Sequence, residues 1–287
     1  MKEKRKLNKG GKILLLFTLV VSSIFLLRPF TVKADVNVNI NKETQIVTDL
    51  IGQYSINYTG DANFFGFYGY YENNNYNEMV KDTDFKATVD TIGKDKIVNS
   101  SIASLKKTDG ATQIEAAYLV WETSVQGKNN TDLVKKAANK AVYFAGSTDK
   151  GAFTKKVNAS YAAVDMREPH LGTKEYTFSC MYVDVTSVVQ KYGYGKYGVA
   201  NIPYAASMKT SNTDKGTHAG ESSSAWQLIV IEKNSKANVR AVSLKIGSHF
   251  NYQQENSKWT RNPLTMNLDL GDCKTNQYIN EDSEVSG

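Results

Sequence analysis

The run that most limits how this chain can fold is 225–232, Ala-Trp-Gln-Leu-Ile-Val-Ile-Glu. In an extended conformation Trp226, Leu228 and Val230 share one face, and Ile229 and Ile231 share the other. A strand apolar on both sides needs cover on both sides, so it belongs to the interior of a layered β structure. A second strand, 239–246, follows after the polar turn Lys233–Asn238, and we expect the two to lie side by side at the centre of the fold. The run 116–121, Ala-Ala-Tyr-Leu-Val-Trp, is also apolar on both faces and is the expected partner of 225–232.

Residues 1–34 stand apart from that core. Six basic residues (Lys2, Lys4, Arg5, Lys6, Lys9, Lys12) face Glu3 alone, and 13–27 is apolar except for Thr18, Ser22 and Ser23. Val32 and Ala34 then supply small residues at cleavage-specifying positions. This is the pattern of a secretory signal peptide cut before Asp35. Fifteen apolar residues are short of the roughly 20 that span a bilayer, so no stable membrane span is expected after cleavage. The competing reading is a retained N-terminal anchor.

The leader also accounts for the basic isoelectric point. It holds eight basic residues and one acidic, a net +7 within a whole chain of +6, which leaves the remainder near −1. A near-neutral chain with no basic cluster in its sequence is poor material for phosphate-backbone recognition, so nucleic acid is not an expected partner.

Composition points the same way as the patterning. Seventeen Tyr, 11 Phe and 3 Trp accompany only four Pro, with many Thr, Val and Ile. Short strands are read at 85–89, 96–102, 112–121, 157–166, 174–185, 198–205, 248–252 and 264–270. An Asp109-Gly110 turn precedes the third of them. Residues 44–58 hold two apolar patches split by Gly52, 72–81 is a polar loop, and 146–155 is mostly polar. Helical spacing occurs at 131–141, with Thr131 able to cap, and over one or two turns from Thr186 to the stop at Gly193. The expected fold is all-β, a β-sandwich or jelly-roll-like domain over 35–279 with one or two short helices. Residues 35–111 form a looser N-terminal part, and 280–287 an acidic tail.

Four pieces recur here in a familiar order: 116–121; Tyr182-Val183-Asp184-Val185-Thr186; Gly195-Lys196-Tyr197-Gly198-Val199-Ala200; and Gly220 followed by 225–232 with Arg240 beyond. Together they resemble a β-rich module near the N-terminus of large Gram-positive surface proteins and adhesin-like wall proteins. Trp226, Leu228, Glu232 and Arg240 match its last strand, although the family's Gly-Trp is here interrupted by Glu221-Ser222-Ser223-Ser224. The resemblance spans about 112–250. It implies a β fold and an extracellular or cell-surface location. The cell envelope, and a glycan or an extracellular protein ligand, are the expected partners. It brings no catalytic residues. Such surface domains also include ones that cross-link a Lys to an Asn beside a buried acid, for which Asp184 and Glu115 are available.

Catalytic and metal chemistry leave little trace. His170, His218 and His249 show no metal-ligand spacing, and no cofactor motif is present. Asp184, alone in an apolar stretch, reads as a cap for the turn at Thr186 or a buried partner of Arg240. Cys180 and Cys273 permit a disulfide, which would contribute about 4–5 kcal/mol in the chain-entropy picture. Cys180 reads equally well as a buried thiol. The binding candidates are Phe67, Tyr68, Tyr70 and Tyr71 in the aromatic run 64–71, the polar loop 207–224, and Tyr192, Tyr194 and Tyr197. Trp121 and Trp226 read as core. Two other functions stay open at this point. One is an enzyme on extracellular polysaccharide, which needs two facing carboxylates among Glu115, Glu122, Asp165, Glu168, Asp184 and Glu221. The other is a purely structural envelope protein.

Overall fold

The structure is a computed structural model that describes residues 37–40, 45–65, 74–75, 77–126, 131–167, 176–203, 223–247, 252–255 and 258–261. Its strands are β1 (Asn37–Ile40), β2 (Gln45–Phe65), β3 (Asn74–Asn75), β4 (Ser100–Leu105), β5 (Ala111–Gln126), β6 (Val142–Thr148) and β7 (Gly151–Val157), then β8 (Tyr161–Arg167), β9 (Tyr176–Asp184), β10 (Gly195–Ala200), β11 (Ser223–Asn234), β12 (Val239–Ile246), β13 (Tyr252–Glu255) and β14 (Lys258–Arg261). The helices are α1 (Glu78–Lys81), α2 (Lys86–Ile92), α3 (Thr131–Ala138) and α4 (Thr186–Tyr192). The large sheet runs β1-β8-β9-β5-β11-β2-β12, with β3 added to β2, and the small sheet runs β4-β10-β6-β7. A separate hairpin joins β13 to β14.

β11 holds the centre as its two apolar faces require. Its Trp226, Leu228 and Val230 enter a core shared with the small sheet, where Leu105, Phe144, Phe153, Tyr197 and Val199 meet them. Ile231 and the half-buried Ile229 enter a second core on the other face of the large sheet. β5 is the partner on one side, with Trp226 opposite Trp121 and Leu228 opposite Leu119.

The expected pairing of 225–232 with 239–246 is corrected. Both strands pair with β2, and not with each other: β11 takes Tyr54–Phe65, and β12 takes Gln45–Gln53. One long strand thus serves two partners, and the changeover falls beside Gly52. The β12 half of this ribbon covers the outer face of the large sheet. Val47, Leu50, Val242, Leu244 and Ile246 pack with Tyr118, Val120, Tyr161 and Tyr182, and the Tyr118 hydroxyl donates to the Val47 carbonyl at 3.1 Å.

The fold is β-rich with modest helix content, and it is not all-β. Residues 72–81 were expected as a loop and 85–89 as a strand, yet 78–92 carries α1, a 3-10 turn at Thr83–Phe85, and α2. Phe85, Val89 and Ile92 recur at helical spacing, and Asp82 Oδ1 accepts the Asp84 N–H at the start. Met79, Phe85, Val89 and Ile92 cover the outer face of the small sheet against Ala145 and Ala200. Gly198 makes that approach possible, since a Cβ there would meet the Met79 sulfur at 3.0 Å and the Phe85 ring at 3.1 Å. Lys196 on β10 clamps the layer through Asp84 at 2.8 Å and Asp82 at 2.9 Å. These two bonds push its ammonium up to about 12.

Two strand readings also shift. Strand β4 begins at Ser100 rather than at 96, with a 3-10 turn at Lys94–Lys96 before it. The strand read at 157–166 starts at Tyr161 as β8, and the mostly polar stretch before it carries β7. The Asp109-Gly110 turn is present, with Gly110 at φ +78 and the Asn234 amide packed where its Cβ would be. The helices expected at 131 and 186 are α3 and α4. The second ends at Gly193, whose N–H donates to the Val189 carbonyl.

Candidate functional site

The aromatic candidates divide. Phe67, Tyr68, Tyr70 and Tyr71 lie outside the described residues, as do most of loop 207–224 and all three histidines. The tyrosines of 192–197 are described, and they do not form an exposed stacking platform. Tyr197 is fully buried, stacked on Phe144 at 5.5 Å, with its hydroxyl donated to the Gly193 carbonyl. Tyr192 packs its ring on Phe153 at 4.4 Å. Tyr194 is half-buried and spends its hydroxyl on Glu232 at 2.7 Å. All three were drawn inward because β10 and the turn before it close one end of the shared core.

Asp184 is exposed and accepts the Thr186 N–H at 2.8 Å, which opens α4. The alternative partnership with Arg240 is not formed, and Arg240 too is exposed on β12. Glu115, the other candidate acid, pairs with Lys233 at 3.1 Å and is not buried.

Among the described residues the buried acid is Glu232, which is wholly out of solvent. Its carboxylate accepts from Tyr194 Oη at 2.7 Å, Ser55 Oγ at 3.1 Å, Asn57 Nδ2 at 3.4 Å and the Thr108 N–H at 3.5 Å. No lysine or arginine of the described structure pairs with it. Burial, and then the bond to Glu232, raise the Tyr194 phenol above its ordinary range. Asn234 extends the network by donating to Ser55 Oγ at 3.2 Å and to the Asp109 carbonyl at 2.9 Å. Ser55 and Asn57 come from β2, Thr108 from the turn before β5 and Tyr194 from the turn before β10, so the cluster fastens the β2–β11 seam and both carboxylate oxygens are engaged.

Cys180 is a buried free thiol on the face beneath the ribbon, and Cys273 lies outside the described residues. Burial raises the thiol far above its usual range, and Glu122 opposite it on β5 adds to the effect. A thiol held protonated and enclosed does not react as a nucleophile. In a Cys273→Ser chain, Cys180 is expected to stay silent to a thiol reagent at mildly alkaline pH until the protein is unfolded. Reaction of the native chain at the rate of an exposed thiol would contradict its enclosure.

A pocket of about 440 Å³ opens where the small sheet meets the end of the helical layer. Lys96 comes from the 3-10 turn before β4, Lys140 from the end of α3, Lys156 from β7, and Tyr143 from β6. Tyr143 and Lys156 are cross-strand partners, with the Lys156 ammonium 5.2 Å from the ring centre. Val98, half exposed, and Pro203 add apolar wall. Asn201 ties the rim together from a left-handed backbone, φ 63. Its side chain accepts the Val98 N–H at 2.8 Å and donates to the Lys96 carbonyl at 3.0 Å. Among the described residues that line the pocket none is acidic. The sequence offered no sign of this basic cluster, because its lysines come from three separate segments.

Among the described residues no group of three or more His, Cys, Asp or Glu is placed to hold a metal ion, and no helix is long and apolar enough to cross a membrane. Compared with known proteins, the chain matches no family model, no curated protein and no solved structure.

Proposed function

We propose that the chain is a secreted or cell-surface-associated, non-enzymatic β module serving adhesion or cell-wall interaction. The observation that carries this reading is where the family-like pieces fall. The segments 116–121, 182–186, 195–200 and 225–232 are β5, the β9–α4 junction, β10 and β11, and all four feed one core. We read the two sheets around that core as a β-sandwich-like framework with added helices. The signal-like leader adds the extracellular setting. Three of the described carboxylates are already engaged: Glu115 is paired, Asp184 accepts the Thr186 N–H, and Glu232 accepts four hydrogen bonds. A glycan or extracellular protein is the expected partner class.

The test is a titration of the labelled full chain against host matrix proteins, polysaccharides and the producer's own cell wall. Saturable binding to one host ligand supports adhesion, and binding to the producer's wall alone supports an envelope role. Silence across the panel overturns the reading.

A further inference from the structure

We infer that the Lys96–Lys140–Lys156 pocket is a binding site for an anionic sugar polymer, one whose units carry a carboxylate, sulfate or phosphate group. The inference deepens the reading of the chain as an extracellular binding module and rests on it.

Charge is the first argument. Three lysines elsewhere in the described structure are ion-paired: Lys196 with Asp82 and Asp84, Lys233 with Glu115, and Lys236 with Asp109. The three pocket lysines have no acidic partner among the described residues, and they line one concavity. Converging like charges repel, and an anion in the pocket turns that repulsion into attraction.

Shape is the second. A volume of 440 Å³ is too large for a lone tetrahedral ion and lies in the range of about 300–1,000 Å³ typical of small-molecule sites. Tyr143, Val98 and Pro203 give the walls apolar surface suited to the C–H face of a sugar ring, with the Lys156 ammonium beside the Tyr143 ring. Asn201 fixes the rim by two hydrogen bonds to 96–98, so the concavity is held open by the fold itself. A nucleic acid would want a basic stripe that tracks a phosphate backbone, and three lysines around one pocket do not supply it. The site is concave and rimmed by lysines, which suits a sugar better than a lipid surface.

The experiment titrates the full chain with three polymers: a polyuronate, a sulfated glycosaminoglycan and a glycerol-phosphate wall polymer. Inorganic polyphosphate and a DNA oligonucleotide serve as charge controls. One of the sugar polymers is expected to bind saturably, more weakly as salt is raised, and its identity assigns the source. Each single Lys→Gln change is expected to weaken binding about three- to fivefold, and the triple change about fifty-fold. The triple Lys→Arg chain should retain binding. All three lysines are exposed, so an unchanged melting profile checks that the variants fold. Tyr143→Leu should weaken the sugar polymer and spare polyphosphate.

Equal binding by the triple Lys→Gln chain, or no binding of any sugar polymer, overturns the site. Polyphosphate or DNA binding as tightly as the sugars, with Tyr143→Leu without effect, overturns the glycan assignment. The two readings fail separately. If the triple variant still binds cells or wall as the parent does, the surface role stands without this pocket. If a pure polymer binds through the lysines while cells and wall do not, the pocket stands and the surface role falls.

Discussion

Replacing Glu232 by Ala is expected to lower stability by about 3 kcal/mol, seen as a fall in the urea midpoint with little change in slope. The carboxylate is wholly buried and accepts four hydrogen bonds, from Tyr194, Ser55, Asn57 and the Thr108 backbone. Truncation strands those donors where water cannot easily replace the acceptor, and each stranded group costs about 1–3 kcal/mol before relaxation. Glu232→Gln keeps the shape but turns one acceptor into a donor aimed at Ser55 Oγ, so a smaller loss of about 1–2 kcal/mol is expected. Tyr194→Phe removes the shortest of the four bonds and should cost about 1 kcal/mol. The order Ala, then Gln, then the Tyr194 change is the signature. If Glu232→Ala falls within about 0.5 kcal/mol of the parent, the range of an ordinary surface substitution, the carboxylate does not fasten the seam.

The legible parts of the fold were those whose side chains obey one simple period. β11 and β5 could be read because both faces of each are apolar, which left an interior position and each other as neighbours. Helix α4 could be read because the period changes at Thr186 and Gly193 ends it. β2 could not be read as the strand that serves both β11 and β12. The residues it turns toward the small sheet are polar: Asn57 donates to the Lys106 carbonyl at 2.6 Å, Thr59 to Ser104 at 3.0 Å, and Asn63 to Val199 at 2.9 Å. Polar residues on a buried face imitate a loop in sequence. Helices α1 and α2 are too short, at four and seven residues, for a helical period to separate from a strand's alternation. Glu232 sits beside Lys233 at the end of an apolar run, where a solvated strand end is the ordinary reading. The pocket was the least legible feature, since only tertiary packing brings Lys96, Lys140 and Lys156 to one rim.

That polar face of β2 leads to the second large effect. Trp226→Ala is expected to cost about 3–5 kcal/mol, the range for removing a buried large aromatic. The side chain is 3 % exposed and fills the core between the sheets. Its indole N–H also starts a chain of bonds. Trp226 Nε1 donates to Ser101 Oγ at 2.7 Å, Ser101 donates to Asn63 Oδ1 at 2.6 Å, and Asn63 Nδ2 reaches Asn99 Oδ1 at 2.9 Å. Asn99 then donates to the Ile202 carbonyl at 2.9 Å. Four strands or their flanks, from both sheets, are thereby joined through side chains that water does not reach. Trp226→Phe separates packing from bonding: it keeps most of the buried ring, loses the indole donor, and should cost about 1–2 kcal/mol. In a double-mutant cycle with Ser101→Ala, a coupling of about 1 kcal/mol is expected, because the two groups bond directly. Strict additivity of the two changes would mean that Trp226 contributes by volume alone, and that the sheets are held in register by apolar packing without the polar chain.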